Sequence, residues 1–435
     1  MRQDEKRTTN IVTQIKFSVL FKILAVASSF ALIPVMLGAL GEERYGVWVT
    51  MFGLISWIVF FDLGFGNGLR NKLVASFNEG DRVGAASYIS SAYLALLALS
   101  LLIGVVFCFV SLLLDWQAIF NTELIENKEL LQSILLISIL FLINFVLSLV
   151  NQILHAFQKA ALTVFHQFLS NGAALFFVSM LAVFDDRPTL LSISFFYGVS
   201  LLLASLCVSC VFFMKNTDLL PSLKNVRWSS LRLISGLGGK FFVIQLAVLV
   251  LFTTDKIIIT QLLGPESVAN YEVVFRLFSS VLVLNSLYLL PLWSAYTDAA
   301  HLWDIKWIRK ELWKSHMVAV GFMVLALILF MFNELVLRLW VGEAFIASPG
   351  IALAMFIFVV LRVWCDIYSC FLNGLGKIDI QMWLAVLQAL GNVPLSIYLG
   401  GLYGLPGVVY ATVCTLALSA IGLPLHAYAI LRKAA

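Results

Sequence analysis

Twelve apolar runs, most of them near the length of a membrane span, divide this chain of 435 residues. About 20 such residues are what a helix needs to cross ~30 Å of hydrocarbon. A water-soluble core has no room for so many, and the composition agrees: 61% of residues are hydrophobic and 12% charged, against ~45–50% and ~25% in soluble domains. In lipid the backbone must satisfy its own hydrogen bonds, so the runs read as helices. The expected fold class is an all-α polytopic membrane protein with about 12 transmembrane helices. They fall near 12–37, 45–66, 82–113, 130–155, 160–184, 190–214, 231–262, 267–296, 308–332, 347–373, 378–399 and 404–430. Breakers support the cuts: Gly41, the Asp185–Pro188 turn, Gly264 with Pro265, Pro349, and the glycines at 400, 401 and 404.

Orientation follows from Lys and Arg, which are retained on the cytoplasmic side. The N-terminus, every second loop and the C-terminus together hold nineteen of them, including Arg70, Lys72, Lys306 and Arg432, and the alternate loops hold four. Both termini are therefore expected in the cytoplasm. The outer loops are short, so function is expected between the helices. The first eleven residues are polar, and the run after them is longer than a signal-peptide core and has no cleavage pattern, so the first helix is expected to stay in the mature protein.

A short internal echo points to two halves. Lys16, Phe17, Ser18, Val19 leads to Leu40, Gly41, and Lys240, Phe241, Phe242, Val243 leads to Leu263, Gly264 at nearly the same spacing. Six spans separate the copies, which makes them parallel repeats with a substrate cleft expected between them. The expected layout is an N-terminal six-helix half at 1–214, a cytoplasmic linker at 215–230 and a C-terminal half at 231–435.

Ionisable side chains at membrane depth cost about 2.5–3.5 kcal/mol each on insertion scales and mark function or mutual pairing. Lys22 and Lys240 lie well inside their spans, with no acid within a turn of Lys22. They either line a cationic cleft for an anionic ligand or snorkel to the surface, as Lys16 can. Asp255 and Arg276 fall at similar depth on consecutive helices, Glu272 and Arg276 are four apart, and Lys256 adjoins Asp255. The set is either a self-neutralising network or a gate in which protonating Glu272 or Asp255 frees Arg276 for substrate. Arg362 and Asp366 make another four-residue pair, and Asp62 closes the second helix before Gly64, Gly66 and Gly68, which read as a hinge. The candidate cationic site is thus Lys22, Lys240, Arg276 and Arg362; the candidates for ion coupling or gating are Asp62, Asp255, Glu272 and Asp366. His155 and His166 read as interfacial. The segment 298–316 carries Trp303, Trp307 and Trp313 among lysines and reads as an amphipathic helix at the headgroups, anchoring there or capturing a lipid headgroup.

Other chemistry is excluded or disfavoured. The six cysteines lie in apolar runs, where packing is the plain reading even for the spaced pair Cys207 and Cys210. No catalytic or metal site is expected. Gly239 and Lys240 lack the rest of a phosphate-binding loop, Gly64, Gly66 and Gly68 follow a span rather than a strand, and a net charge of +4 without a basic stripe gives no reason to expect nucleic acid.

Tyr45, Gly46, Val47, Trp48, the run from Phe61, Asp62, Leu63, Gly64 through Asn67, Gly68, Leu69, Arg70, Asn71, Lys72, and Thr254, Asp255, Lys256 followed by Arg276 resemble the polysaccharide-transporter branch of the multidrug/oligosaccharidyl-lipid/polysaccharide (MOP) exporter superfamily. Within that branch the resemblance is to Wzx-type O-antigen flippases. It implies a MATE-like fold of two pseudo-symmetric six-helix halves around a central cleft. It also implies a non-enzymatic transporter of an undecaprenyl-diphosphate-linked glycan in the bacterial inner membrane, partnered by membrane lipids and by other polysaccharide-assembly proteins. No cofactor is expected; coupling to a proton or sodium gradient is. The alternatives are an ion-coupled multidrug exporter of the same superfamily, which needs an acidic cleft, and a membrane-embedded polymerase or glycosyltransferase, which needs a substantial outer loop.

Overall fold

The computed structural model describes residues 2–58, 65–157, 159–185, 187–235, 254–301, 304–343 and 345–433, and these are almost entirely helical. Lys240 and Asp62, with the run from Phe61 to Gly64, lie outside the described residues. Ten helices among the described residues are long and apolar enough to cross a membrane. The difference from twelve has two sources. The expected helices 12–37 and 45–66 run together as α1 (Arg2–Ser56), interrupted at Gly41. Most of the expected helix 231–262 lies outside the described residues, with 254–263, here α10, seen as its end. Gly41 and Gly264, the two glycines of the internal echo, both have positive φ (75° and 87°), a conformation that side chains with a Cβ resist. The echo therefore repeats a backbone turn as well as letters.

The chain divides into two compact units, Met1–Phe242 and Val243–Ala435. The first holds α1, α2 (Phe65–Glu79), α3 (Arg82–Ser111), α4 (Trp116–Phe120), α5 (Asn127–Leu147), α6 (Val150–Ala156), α7 (Ala160–Phe184), α8 (Leu190–Lys215) and α9 (Trp228–Ser235). α1 packs on α7, α7 on α8, and α8 on α5. Lipid gives apolar side chains no preference for one another, so helix pairs in membranes rely on close approach and polar links. Both occur here. A Cβ on Gly198 of α8 would stand 2.5 Å from Leu140 of α5. Ser100 of α3 donates to the Leu142 carbonyl of α5 at 3.1 Å.

Two expectations change in this unit. The segment around Gly66 and Gly68 is helix α2 rather than a glycine hinge: a Cβ at Gly68 would lie 2.1 Å from the Ile234 carbonyl oxygen, so the glycine permits α9 to pack against α2. α9 itself, expected to open the second half, packs on α2 and α3. His166, near the start of α7, is half-buried: its Nε2 meets Ser205 Oγ at 2.8 Å, and Ser205 donates to Asn144 Oδ1 at 2.6 Å, linking α7, α8 and α5.

The second unit holds α10, α11 (Pro265–His301), α12 (Ile305–Met331), α13 (Asn333–Val341), α14 (Ile351–Gly374), α15 (Asp379–Tyr403) and α16 (Leu405–Lys433). α14 lies at its centre, packed on α11, α12 and α16, with α15 against α16. The expected surface helix at 298–316 is instead the end of α11 and the first turns of α12. Asp304 accepts from the Trp307 amide at 3.0 Å, an N-cap that starts α12, so residues 305–316 belong to a helix that runs on to Met331.

Candidate functional site

α10 and α11 meet at a buried ion cluster. The Glu272 carboxylate is only 6% exposed and takes Lys256 Nζ at 2.9 Å on one oxygen and Arg276 at 3.0 Å on the other. A carboxylate has two oxygens, so one acid can hold two cations, and burial makes each contact stronger than at a surface. The Glu272–Arg276 pair is the i,i+4 neighbour relation on one helical face. On α14, Arg362 Nε lies 2.9 Å from Asp366 Oδ1, and Asn285 of α11 donates to Asp366 Oδ2 at 3.4 Å.

Asp255 does not join Arg276 as its depth led us to expect. Adjacent residues on a helix point about 100° apart, so Lys256 faces α11 and Asp255 faces α16. Thr412 of α16 donates to Asp255 Oδ2 at 3.2 Å, and Asn392 of α15 donates to Thr412 at 3.0 Å. Ser396 donates in turn to Asn392 Oδ1 at 3.4 Å. Asp255 is 2% exposed, and its Oδ1 has no hydrogen-bond partner among the described residues. With a single hydroxyl donor on Oδ2, the carboxylate keeps acceptor capacity on Oδ1, and oxygen ligands of this kind are what a hard cation takes. Sequence reading missed Thr412, Asn392 and Ser396. Their only signal is a hydrogen-bonding side chain within an apolar run.

In the first unit Lys22 projects from α1 toward α7 and donates from Nζ to Gln167 Oε1 at 3.1 Å. Phe21 beside it meets Phe165 edge-on at 5.0 Å and stacks on Phe168 at 6.2 Å. Lys22 forms no ion pair among the described residues. Nineteen residues before Gly41, it lies ~28 Å along the helix from that turn. That places it toward the N-terminal membrane boundary of a ~30 Å core rather than at mid-depth. Of the four expected cationic residues, Arg276 and Arg362 are matched by acids, Lys22 is matched by an uncharged amide, and Lys240 lies outside the described residues. Among the described residues no group of three or more His, Cys, Asp or Glu side chains could hold a metal ion.

Solved structures share this architecture. A multidrug resistance MATE family transporter of the MOP superfamily in its inward-facing conformation aligns over 98% of both chains, with a TM-score of 0.74 at 16% identity. A MOP superfamily transporter from Pyrococcus furiosus, described as having a binding pocket of reverse polarity, aligns over 98% of this chain and 94% of its own with a TM-score of 0.59 at 15% identity. The fold is therefore that of the MATE-like MOP transporters. The sequence pattern of the polysaccharide biosynthesis protein family matches residues 11–293, and the chain belongs to that family. A protein of Salmonella typhi named as an O-antigen transporter is 23% identical over 94% of this chain and 93% of its own. One of Yersinia pseudotuberculosis named as an O-antigen export protein is 20% identical over 89% of each.

Proposed function

We propose that this multi-pass membrane protein is a flippase that carries an undecaprenyl-diphosphate-linked oligosaccharide, an O-antigen or similar repeat unit, across the bacterial inner membrane by alternating access. The observation that carries the reading is Lys22, a half-buried cation of α1 that donates to a neutral amide of α7 and forms no ion pair among the described residues. A diphosphate cannot enter hydrocarbon unaided, and an ammonium without a competing acid replaces part of its hydration. The names of the Salmonella and Yersinia relatives support a glycan cargo. With both termini in the cytoplasm, Lys22 lies near the inner leaflet, at the depth of an incoming lipid diphosphate. The driving force is a proton or sodium gradient, and Asp255 is the residue that takes the ion. The chain acts with other polysaccharide-assembly proteins and carries out no covalent chemistry.

The test is complementation of a flippase-deficient strain, with surface glycan scored at matched protein levels. Lys22→Ala should lower surface glycan by about ten-fold, the worth of one charge-assisted hydrogen bond to an anion. Gln167→Ala, which removes only the neutral partner, should retain activity. Full activity of Lys22→Ala overturns the cationic-site reading, and changed drug resistance with unchanged glycan would favour a drug exporter.

A further inference from the structure

The first turns of α12 and the last turns of α16 border an open pocket of about 450 Å³ lined by Arg309, Trp313, His316, Tyr428 and Arg432, with Leu312 and Leu431. That volume lies within the ~300–1,000 Å³ of sites that hold small ligands. Arg309 donates to the Leu431 carbonyl at 3.1 Å, which ties α12 to the end of α16. Neither Arg309 nor Arg432 forms an ion pair among the described residues, and the nearby Glu311 is already engaged by Lys314 at 2.9 Å. His316 is fixed against Tyr368 of α14 at 2.8 Å. The cavity therefore presents two guanidinium groups, two amphipathic aromatics and no competing acid.

Its place in the membrane identifies the ligand class. From Arg309 to Met331, the last residue of α12, is ~33 Å of helix, one hydrocarbon thickness, so Arg309 stands at a headgroup boundary. Trp and Tyr concentrate at that boundary. Below the cavity, α12 exposes Met317, Val320, Val324 and Ile328, and α16 exposes Leu425 and Ile421. Their spacings of three and four residues make an apolar stripe on each helix, leading away from the arginines. A free phosphate would use the arginines and leave the stripes unused; a diacyl lipid uses both. Basic pockets between transmembrane helices are a recurrent way of holding anionic headgroups.

We infer that this cavity is a binding site for one anionic diacyl phospholipid of the phosphatidylglycerol type, with its phosphate between Arg309 and Arg432 and its acyl chains along α12 and α16. The site shares no residue with the Asp255 and Lys22 groups and does not depend on what the chain transports.

The test uses the full-length protein in phosphatidylcholine nanodiscs, with dioctanoyl phosphatidylglycerol as the probe and native mass spectrometry to count retained lipid. The wild type should hold one phosphatidylglycerol that survives excess phosphatidylcholine. Arg432→Ala alone should weaken it about ten-fold, and adding Arg309→Ala should weaken it further. Arg432→Ala lies in the last turns of the chain and leaves the helix intact, so it serves even where the double variant does not fold. Lys306→Ala with Lys310→Ala removes the same charge from α12 outside the cavity and should leave binding unchanged. An equal loss in that control would mean diffuse surface attraction and overturn the site. Displacement of the lipid by inorganic phosphate at equal concentration would overturn the lipid assignment, as would equal retention of phosphatidylcholine.

Discussion

Glu272→Gln removes the one negative charge between Lys256 and Arg276 while keeping the side-chain volume. Lys256 is 19% exposed and Arg276 40%, so the two cations do not lose equally. Breaking a buried pair by removing one partner costs roughly 3–5 kcal/mol, because the other charge stays behind uncompensated. Lys256 falls in that regime, whereas Arg276 can turn its exposed edge to solvent and contributes little. For a unit of this size, ~2–4 °C of melting temperature per kcal/mol converts the loss into a fall of roughly 6–20 °C. The assay is thermal unfolding of the purified protein read with a thiol-reactive dye, in a background where the exposed Cys108, Cys207, Cys210 and Cys414 are replaced by Ser so that the buried Cys365 and Cys370 on α14 report the opening of this unit. The double variant Glu272→Gln with Lys256→Met removes the stranded cation along with its acid and should recover most of the loss. A Glu272→Gln protein melting within about 2 °C of wild type, or a double variant no better than the single one, would refute the claim that Lys256 depends on Glu272.

Three further outcomes follow from the geometry. Asp255→Asn should keep the Thr412 bond, since an amide oxygen still accepts from that hydroxyl, and so should fold normally; transport into proteoliposomes should then lose its response to an imposed proton or sodium gradient, and a retained response would remove Asp255 as the ion site. Gly68→Ala should destabilise the first unit by about 1–3 kcal/mol through overpacking, because the new methyl would meet backbone at Ile234. The matched Gly401→Ala, where nothing lies within 4 Å, should be neutral or slightly stabilising, as compared by melting temperature.

The positions of the spans were legible because apolar run length has one physical cause, the thickness of hydrocarbon. Glu272 with Arg276 and Arg362 with Asp366 were legible for a similar reason: four residues along a helix is a fixed displacement in both height and direction. Asp255 was not, because depth along a span gives height without azimuth, and pairing it with Arg276 ignored the turn between Asp255 and Lys256. Gly68 was misread for a related reason. A glycine run looks the same whether it supplies a hinge or close helix packing, and only the position of α9, remote in sequence, distinguishes the two. The Thr412, Asn392 and Ser396 chain was invisible because neutral polar residues in apolar runs are common, and the acid that gives these three a role is far away in sequence.

The charges inside the two units differ in kind. Around α10, α11 and α14, three bases (Lys256, Arg276, Arg362) stand with three acids (Asp255, Glu272, Asp366), so fixed charge cancels and a proton or cation arriving at Asp255 would disturb a balanced set. Lys22 has no such balance. Its Nζ is bonded to Gln167, an exposed residue of α7. An amide oxygen satisfies one of three donors and none of the charge. If the proposed reading holds, an ammonium near the headgroup boundary that is bonded to an amide and to no acid keeps its charge for an anion arriving at that depth, and a lipid-borne diphosphate is such an anion.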